Sequence, residues 1–243
     1  MVIPRRMRQY RAMFPRTALV TGAASGIGAA LVAELRADGA DVQELDVVHG
    51  FDVSDPGAWD AVGPVELACL NAGVTTGASA LTEVNERAYR RILGANVDGV
   101  VYGVRRLAEV MEPRGAIVVT ASLAGLLPAP QDPLYTLTKH AVVGFVRSVA
   151  PQLLERGIRI SAVAPGFVDT PLLGAEGRAR FTGAGFPLLE AGEVARAILD
   201  VARSDQTGDV WVVQPGRSPE PYRFPNVPGP RDASGAPAGL PPS

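Results

Sequence analysis

Cysteine is nearly absent: the 243-residue chain has one, Cys69. A single thiol closes no intramolecular disulfide and offers no metal-ligand spacing. In the apolar run 67–70 it reads as a small buried hydrophobe. Histidine is almost as scarce, with only His49 and His140. No cysteine or carboxylate pattern accompanies them, so no metal site is expected and neither is read as catalytic. No stretch approaches the ~18 apolar residues of a membrane-spanning helix. Charge of either sign is not in excess: 23 basic against 25 acidic residues leave a net charge of −2. That balance provides no bulk attraction to nucleic acid or to an anionic membrane. No internal repeat is present. No apolar core of a secretory signal precedes the first strand, which leaves the cytoplasm as the expected compartment. The start carries Arg5, Arg6, Arg8, Arg11 and Arg16 and no acid. Residues 1–14 are therefore read as a disordered or misassigned extension, with the fold beginning near Met13.

Short apolar runs alternate with helical patterns, which argues for βαβ units. The expected strands are Thr17–Val20, Asp41–Leu45, Val65–Leu70, Gly115–Thr120, Ile158–Val163 and Asp209–Val213. The expected helices are Ile27–Asp38, Gly99–Met111, Tyr135–Glu155 and Glu193–Ala202. Together they form an α/β fold over residues 15–214: one Rossmann-type, doubly wound parallel sheet with helices on both faces. Only five residues separate Asp46 from Asp52. A parallel crossover takes a dozen or more. The third strand is thus either a short edge strand reached by a bare loop or missing, and the helix usual at this point is expected to be deleted.

The segment Thr21–Gly28, with Gly22, Ser25, Gly26 and Ile27, follows the first strand and opens the first helix. Glycines let the backbone approach a pyrophosphate, and a helix start presents free N–H groups and a positive dipole end. The spacing differs from the common G-x-G-x-x-G form. Asp46 ends the second strand, where a carboxylate accepts hydrogen bonds from ribose hydroxyls and repels a 2′-phosphate. That combination favours NAD over NADP. Further on, Tyr135 and Lys139 lie one helical turn apart on one face. A phenol is a poor base at neutral pH, and a nearby ammonium is expected to lower its pKa into working range. Ser122 follows a strand end, where its hydroxyl can bond a carbonyl oxygen.

Taken in order, these residues resemble the short-chain dehydrogenase/reductase family over roughly residues 15–214. The matching pieces are the Thr21–Gly28 turn, Asp46, Asp52-Val53, Asn71-Ala72-Gly73, Asn96, Ser122, Tyr135-x-x-x-Lys139, Pro165-Gly166 and Thr170. The resemblance implies an oxidoreductase moving a hydride between NAD(H) and a secondary alcohol or ketone. It makes Tyr135 the acid/base, and has Ser122 polarise the substrate oxygen. Lys139 would hold the nicotinamide ribose, and Asn96 a relay water. Asp52 and Val53 would flank the adenine, and Asn71, Ala72 and Gly73 would run along the cofactor. Pro165, Gly166, Val168 and Thr170 would lie at the carboxamide. The short Asp46–Asp52 connection departs from the family and puts the outer edge of the adenine pocket in doubt.

Substrate-facing candidates are Leu126, Leu134, Phe167 and Leu172, with Phe181 and Phe186 nearby. They are apolar and bring no cluster of basic side chains, so an uncharged, moderately apolar small molecule is expected. The helices Gly99–Met111 and Tyr135–Glu155 resemble the family's dimer-forming pair, which implies a homo-oligomer, tetramer or dimer. From Pro215 the composition shifts: nine of the last 29 residues are proline, a composition read as unable to continue a sheet or helix. Tyr222, Phe224 and Val227 fit an extended arm over 219–230, with disorder from 215 onward as the alternative; 232–243 are expected to be mobile.

Overall fold

The computed structural model describes residues 15–78, 80–226 and 228–231. The expected extension 1–14, Val227 and the expected mobile end 232–243 lie outside the described residues. Six parallel strands form the sheet: β1 (Thr17–Thr21), β2 (Asp41–Leu45), β3 (Leu67–Leu70), β4 (Ala116–Thr120), β5 (Arg159–Pro165) and β8 (Val210–Val213). A short antiparallel strand, β9 (Glu220–Pro221), extends it to the order β2-β1-β3-β4-β5-β8-β9. Both faces are covered, so the central strands are apolar runs instead of alternating ones. Ala18, Val20 and Cys69 face helices α1 (Gly26–Ala37) and α6 (Ala191–Arg203). Leu19, Leu70 and Ile117 face α3 (Gly99–Val110) and α4 (Pro133–Leu154).

Between Asp46 and Asp52 no strand forms. The chain makes one 3₁₀ turn, Val47–His49, and β2 becomes the sheet's edge. Five residues are too few to cross over a neighbouring strand, so strand and helix are lost together.

The sequence reading begins its second helix at Gly99, but helix starts earlier. Helix α2 (Glu86–Leu93) runs through a π-helical turn, Gly94–Asp98, into α3. Its sequence ERAYRRIL sets Ala88, Tyr89, Ile92 and Leu93 at helical spacing, with Ile92 buried and the other three partly so, a short stripe the sequence reading passed over. A π turn offsets the residues that follow and often marks a functional position. Here it carries Asn96.

After β5, β6 (Val168–Asp169) and β7 (Leu189–Glu190) pair in a second small sheet around helix α5 (Gly174–Gly183). The proline-rich segment does add to the main sheet, contrary to the sequence expectation. Pro221 sits on an outermost strand, where a missing N–H costs no ladder bond. Tyr222 N–H donates to Val210 O at 2.7 Å. The Arg147 guanidinium of α4 lies 3.7 Å from the centre of the Phe224 ring, which also meets Tyr222 edge-on. The described part of the tail is thus an extended arm against the body.

Candidate active site

Strand order reverses at β1, where β2 departs to one side and β3 to the other. A crevice opens there at the carboxyl ends of the strands. Gly22 leaves β1 with φ +65°, and a Cβ on it would lie 2.9 Å from Ala72 Cα. Gly28, in the first turn of α1, packs still closer: a Cβ would fall 1.9 Å from Gly22 O. The helix therefore starts directly behind the turn. Ser25, at its N-cap, makes no side-chain capping bond, so the first N–H groups are left for a ligand. Asp46 braces the turn: Oδ2 accepts from Ala24 N–H at 3.0 Å and Oδ1 from Val48 N–H at 3.1 Å. Its carboxylate still lines the crevice and keeps lone pairs for a further donor.

The crevice continues as one cleft of about 1150 Å³ past Asp52, Val53, Asn71, Ala72 and Gly73 to Ser122, Tyr135 and Lys139. Pro165, Gly166, Val168 and Thr170 form its far wall with Phe167 and Leu172. A narrow backbone cradle without Cβ atoms, a helix start aimed into it and a terminal carboxylate fit a dinucleotide.

Four expected residues stand elsewhere. Asn96 is fully buried behind the wall. Its Oδ1 accepts from Val74 N–H at 2.8 Å, and its amide donates to Val74 O and Thr138 Oγ1. With both amide protons engaged, this side chain fixes the loop after Gly73. Gly28 supports the phosphate turn from behind. Leu126 is half-buried and packs against the core cluster that α3 and α4 cover. Leu134 is partly buried and, like Leu126, is not among the cleft-lining residues.

Tyr135 sits in the first turn of α4, whose N-cap is Asp132. Asp132 Oδ1 accepts from Tyr135 N–H at 2.9 Å and Oδ2 from Thr76 N–H at 2.8 Å. One carboxylate thus ties the acid/base helix to the loop that Asn96 also holds. Neither Asp132 nor Thr138 emerged from sequence spacing. An Asp before Pro133 at a helix start was the available signal for the former.

Lys139 lies one turn along. It is buried, and its Nζ donates to Thr120 O at 2.8 Å, 5.6 Å from the Tyr135 ring centre. It is the chain's only lysine among 23 basic residues. Burial pushes its pKa down to about 8. A guanidinium cannot be tuned in this way.

The expected depression of the Tyr135 pKa is not what the site displays. Burial pushes the phenol up to about 12, a hydrogen bond from Ser122 pulls it down, and the Asp132 charge pushes it up. Desolvation of the phenolate outweighs the hydrogen bond from Ser122.

The Lys139 shift has a consequence for stability. Between pH 8 and 10.5 the unfolded chain binds the proton that the folded chain has released, so stability rises with pH there and the gain is lost on going back down. Chemical denaturation at several pH values should therefore show the wild type gaining on Lys139→Met across this window. Parallel curves for the two proteins would contradict the buried-ammonium assignment.

Phe167 stacks with Phe181 (ring centres 4.1 Å apart) and meets Phe186 edge-on. The substrate-facing candidates read from the sequence include no basic cluster, but the cleft has one. Helix α2, absent from the sequence reading, places Arg87, Arg90 and Arg91 on the cleft wall. Among the described residues no helix is long and apolar enough to cross a membrane, and no group of three or more metal-ligating side chains forms.

Known proteins share this arrangement. Residues 57–180 match the family model for short chain dehydrogenases. The chain is 33% identical to the cis-2,3-dihydrobiphenyl-2,3-diol dehydrogenase of Pseudomonas sp. (strain KKS102), over 76% of this chain and 78% of that enzyme. It is 31% identical to the mouse (Mus musculus) 15-hydroxyprostaglandin dehydrogenase, named for NAD(+), over 65% of this chain and 69% of that enzyme. A short chain dehydrogenase from Burkholderia cenocepacia, solved with NADP, superposes with a TM-score of 0.71 at 27% identity, over 82% of this chain and 96% of that one. With a dinucleotide cradle, a Ser-Tyr-Lys group on one cleft wall and relatives that align over two thirds or more of their length, the chain belongs to the short chain dehydrogenase family of oxidoreductases.

Proposed function

We propose that the protein oxidises a secondary alcohol with NAD, using Tyr135 as base. The observation that carries this reading is that Ser122, Tyr135 and Lys139 line the same cleft as the glycine turn and Asp46. The nicotinamide supplies the carbon that takes the hydride. The remaining tasks fall to this chain. Gly22, Ser25, Gly26 and Ile27 hold the pyrophosphate with backbone N–H groups. Asp46 bonds the adenosine ribose. Asp52 and Val53 flank the adenine, Asn71, Ala72 and Gly73 follow the cofactor's length, and Pro165, Gly166, Val168 and Thr170 close over the carboxamide. Ser122 Oγ bonds the substrate oxygen and Tyr135 Oη takes its proton. Lys139, held by Thr120 O, keeps positive charge next to the forming phenolate. The same residues run a ketone reduction with the proton moving the other way.

Asp46 supports NAD over NADP, since a carboxylate that lines the cleft repels a 2′-phosphate. The name of the prostaglandin dehydrogenase relative points the same way, whereas the Burkholderia neighbour holds NADP. Phe167 and Leu172 support an apolar environment around the reacting carbon. The reading also has the protein act in the cytoplasm as a homo-oligomer, dimer or tetramer, through α3 and α4. Steady-state oxidation of alicyclic, steroidal and aliphatic secondary alcohols with each cofactor tests the reaction. NAD should give the higher kcat/KM, and Asp46→Ala should narrow the difference. Wild-type efficiency with NADP equal to or above that with NAD would sink the cofactor assignment.

A further inference from the structure

Arg87, Arg90 and Arg91 all line the active-site cleft. They occupy positions i, i+3 and i+4 of α2, which puts them on one face. Arg91 is anchored, with Nη2 donating to Thr75 O at 2.8 Å. The next residue, Thr76, bonds Asp132, which in turn bonds the Tyr135 N–H. Arg91 is thus joined to the acid/base helix through one short loop. Arg90 pairs with Glu86 on its own helix at 2.7 Å, and Arg87 has no ion-pair partner among the described residues.

None of the acids that line the cleft, Asp46, Asp52 and Asp132, forms an ion pair with these arginines among the described residues. Asp46 accepts from Ala24 and Val48 N–H, Asp52 from Ser54, and Asp132 from Thr76 and Tyr135. Elsewhere the wall is apolar, with Leu127, Pro128, Leu172 and Leu173. One cleft therefore combines a greasy surface, a cationic helix face and a proton-transfer group. Guanidinium groups are donors only and suit carboxylate or phosphate geometry.

We infer that α2 forms an anion subsite through Arg87 and Arg91, and that the substrate is an alcohol whose apolar body carries a carboxylate. This rests on the proposed alcohol oxidation, since it concerns the substrate of that same site. A 2′-phosphate on the cofactor has the same anionic chemistry, so the test separates the two sources.

Calorimetry on the full chain with decanoate and its neutral analogue decanamide measures the subsite directly. Wild type should bind decanoate about tenfold more tightly, a factor that corresponds to one charge-assisted contact. The preference should shrink with added salt, because exposed charges are screened. In Arg87→Gln/Arg91→Gln the decanoate-to-decanamide ratio should fall to about one; because it compares two ligands in one protein, general damage does not mimic the effect. Equal binding of the two ligands by wild type, or an unchanged ratio in the double variant, overturns the inference. So does a loss of NADPH relative to NADH affinity with the decanoate ratio intact, which assigns the arginines to the cofactor. A wild type that keeps the decanoate preference and loses it in the double variant, yet oxidises no secondary alcohol with NAD, supports the subsite and refutes only the proposed reaction.

Discussion

Tyr135→Phe should lower kcat by about 10²–10⁴-fold, the usual worth of a positioned acid/base, while NAD affinity stays within a few-fold of wild type. The substitution keeps the ring and its place 5.6 Å from the Lys139 ammonium. Only the hydroxyl and its bond with Ser122 are lost. Ser122 keeps its bond from Ala124 N–H at 3.1 Å, so melting temperature should move little. The direction of the pH dependence follows from the same environment. With the phenol pushed up to about 12, Tyr135 carries its proton across the neutral range. Ketone reduction, which needs the proton, is then fully supplied at neutral pH. Alcohol oxidation needs the phenolate, and its kcat/KM should climb with pH. Oxidation that is flat between pH 6 and 9, or near-normal turnover in the phenylalanine variant, would remove Tyr135 from the role of base.

How far the sequence carried the reading depended on whether the relevant signal was local. The glycine turn, Asp46 and the Tyr135/Lys139 pair each have a reason legible in a few neighbouring residues, and they converge on one cleft. The central strands were legible because buried parallel strands are unbroken apolar runs, and the more polar edge strand Asp41–Leu45 agrees to the residue. What was not legible was set by tertiary contact. Helix α2 carries a short apolar stripe, Ala88, Tyr89, Ile92 and Leu93, but only tertiary contact brings its arginines to the cleft wall. Leu126 looks like a pocket residue from its place after Ser122, yet after the 3₁₀ turn Leu123–Gly125 it is half-buried against the core. Tyr135 shows a subtler limit. Spacing put Lys139 beside Tyr135, but the effect that decides the phenol's pKa, burial, depends on everything packed around it. Composition did hold one clue: a chain that uses arginine for every other basic position keeps a lysine at 139 alone. A buried cation that must be compact and tunable is a sufficient physical reason.

Gly28→Ala should weaken NAD binding by at least about tenfold and destabilise the fold by about 1–3 kcal/mol, the usual range for overpacking. The added methyl would sit 1.9 Å from Gly22 O, and the obstacle is backbone, which cannot swing away as a side chain would. Either α1 retreats or the turn opens. Both displace the N–H groups of the cradle, and an ångström of misplacement is enough to forfeit much of a preorganised contact. Gly28 itself does not touch the cleft, so the loss acts through position alone. Gly144→Ala is the matched control. Gly144 is also inside a helix, α4, but a Cβ there meets nothing within 4 Å. That substitution should leave NAD affinity unchanged and raise stability by about 0.5–1 kcal/mol through helix propensity. Fluorescence titration with NADH and urea denaturation of both variants separate the two cases. If Gly28→Ala binds NADH as tightly as Gly144→Ala does, the close packing of α1 against the turn is not what shapes the cofactor site.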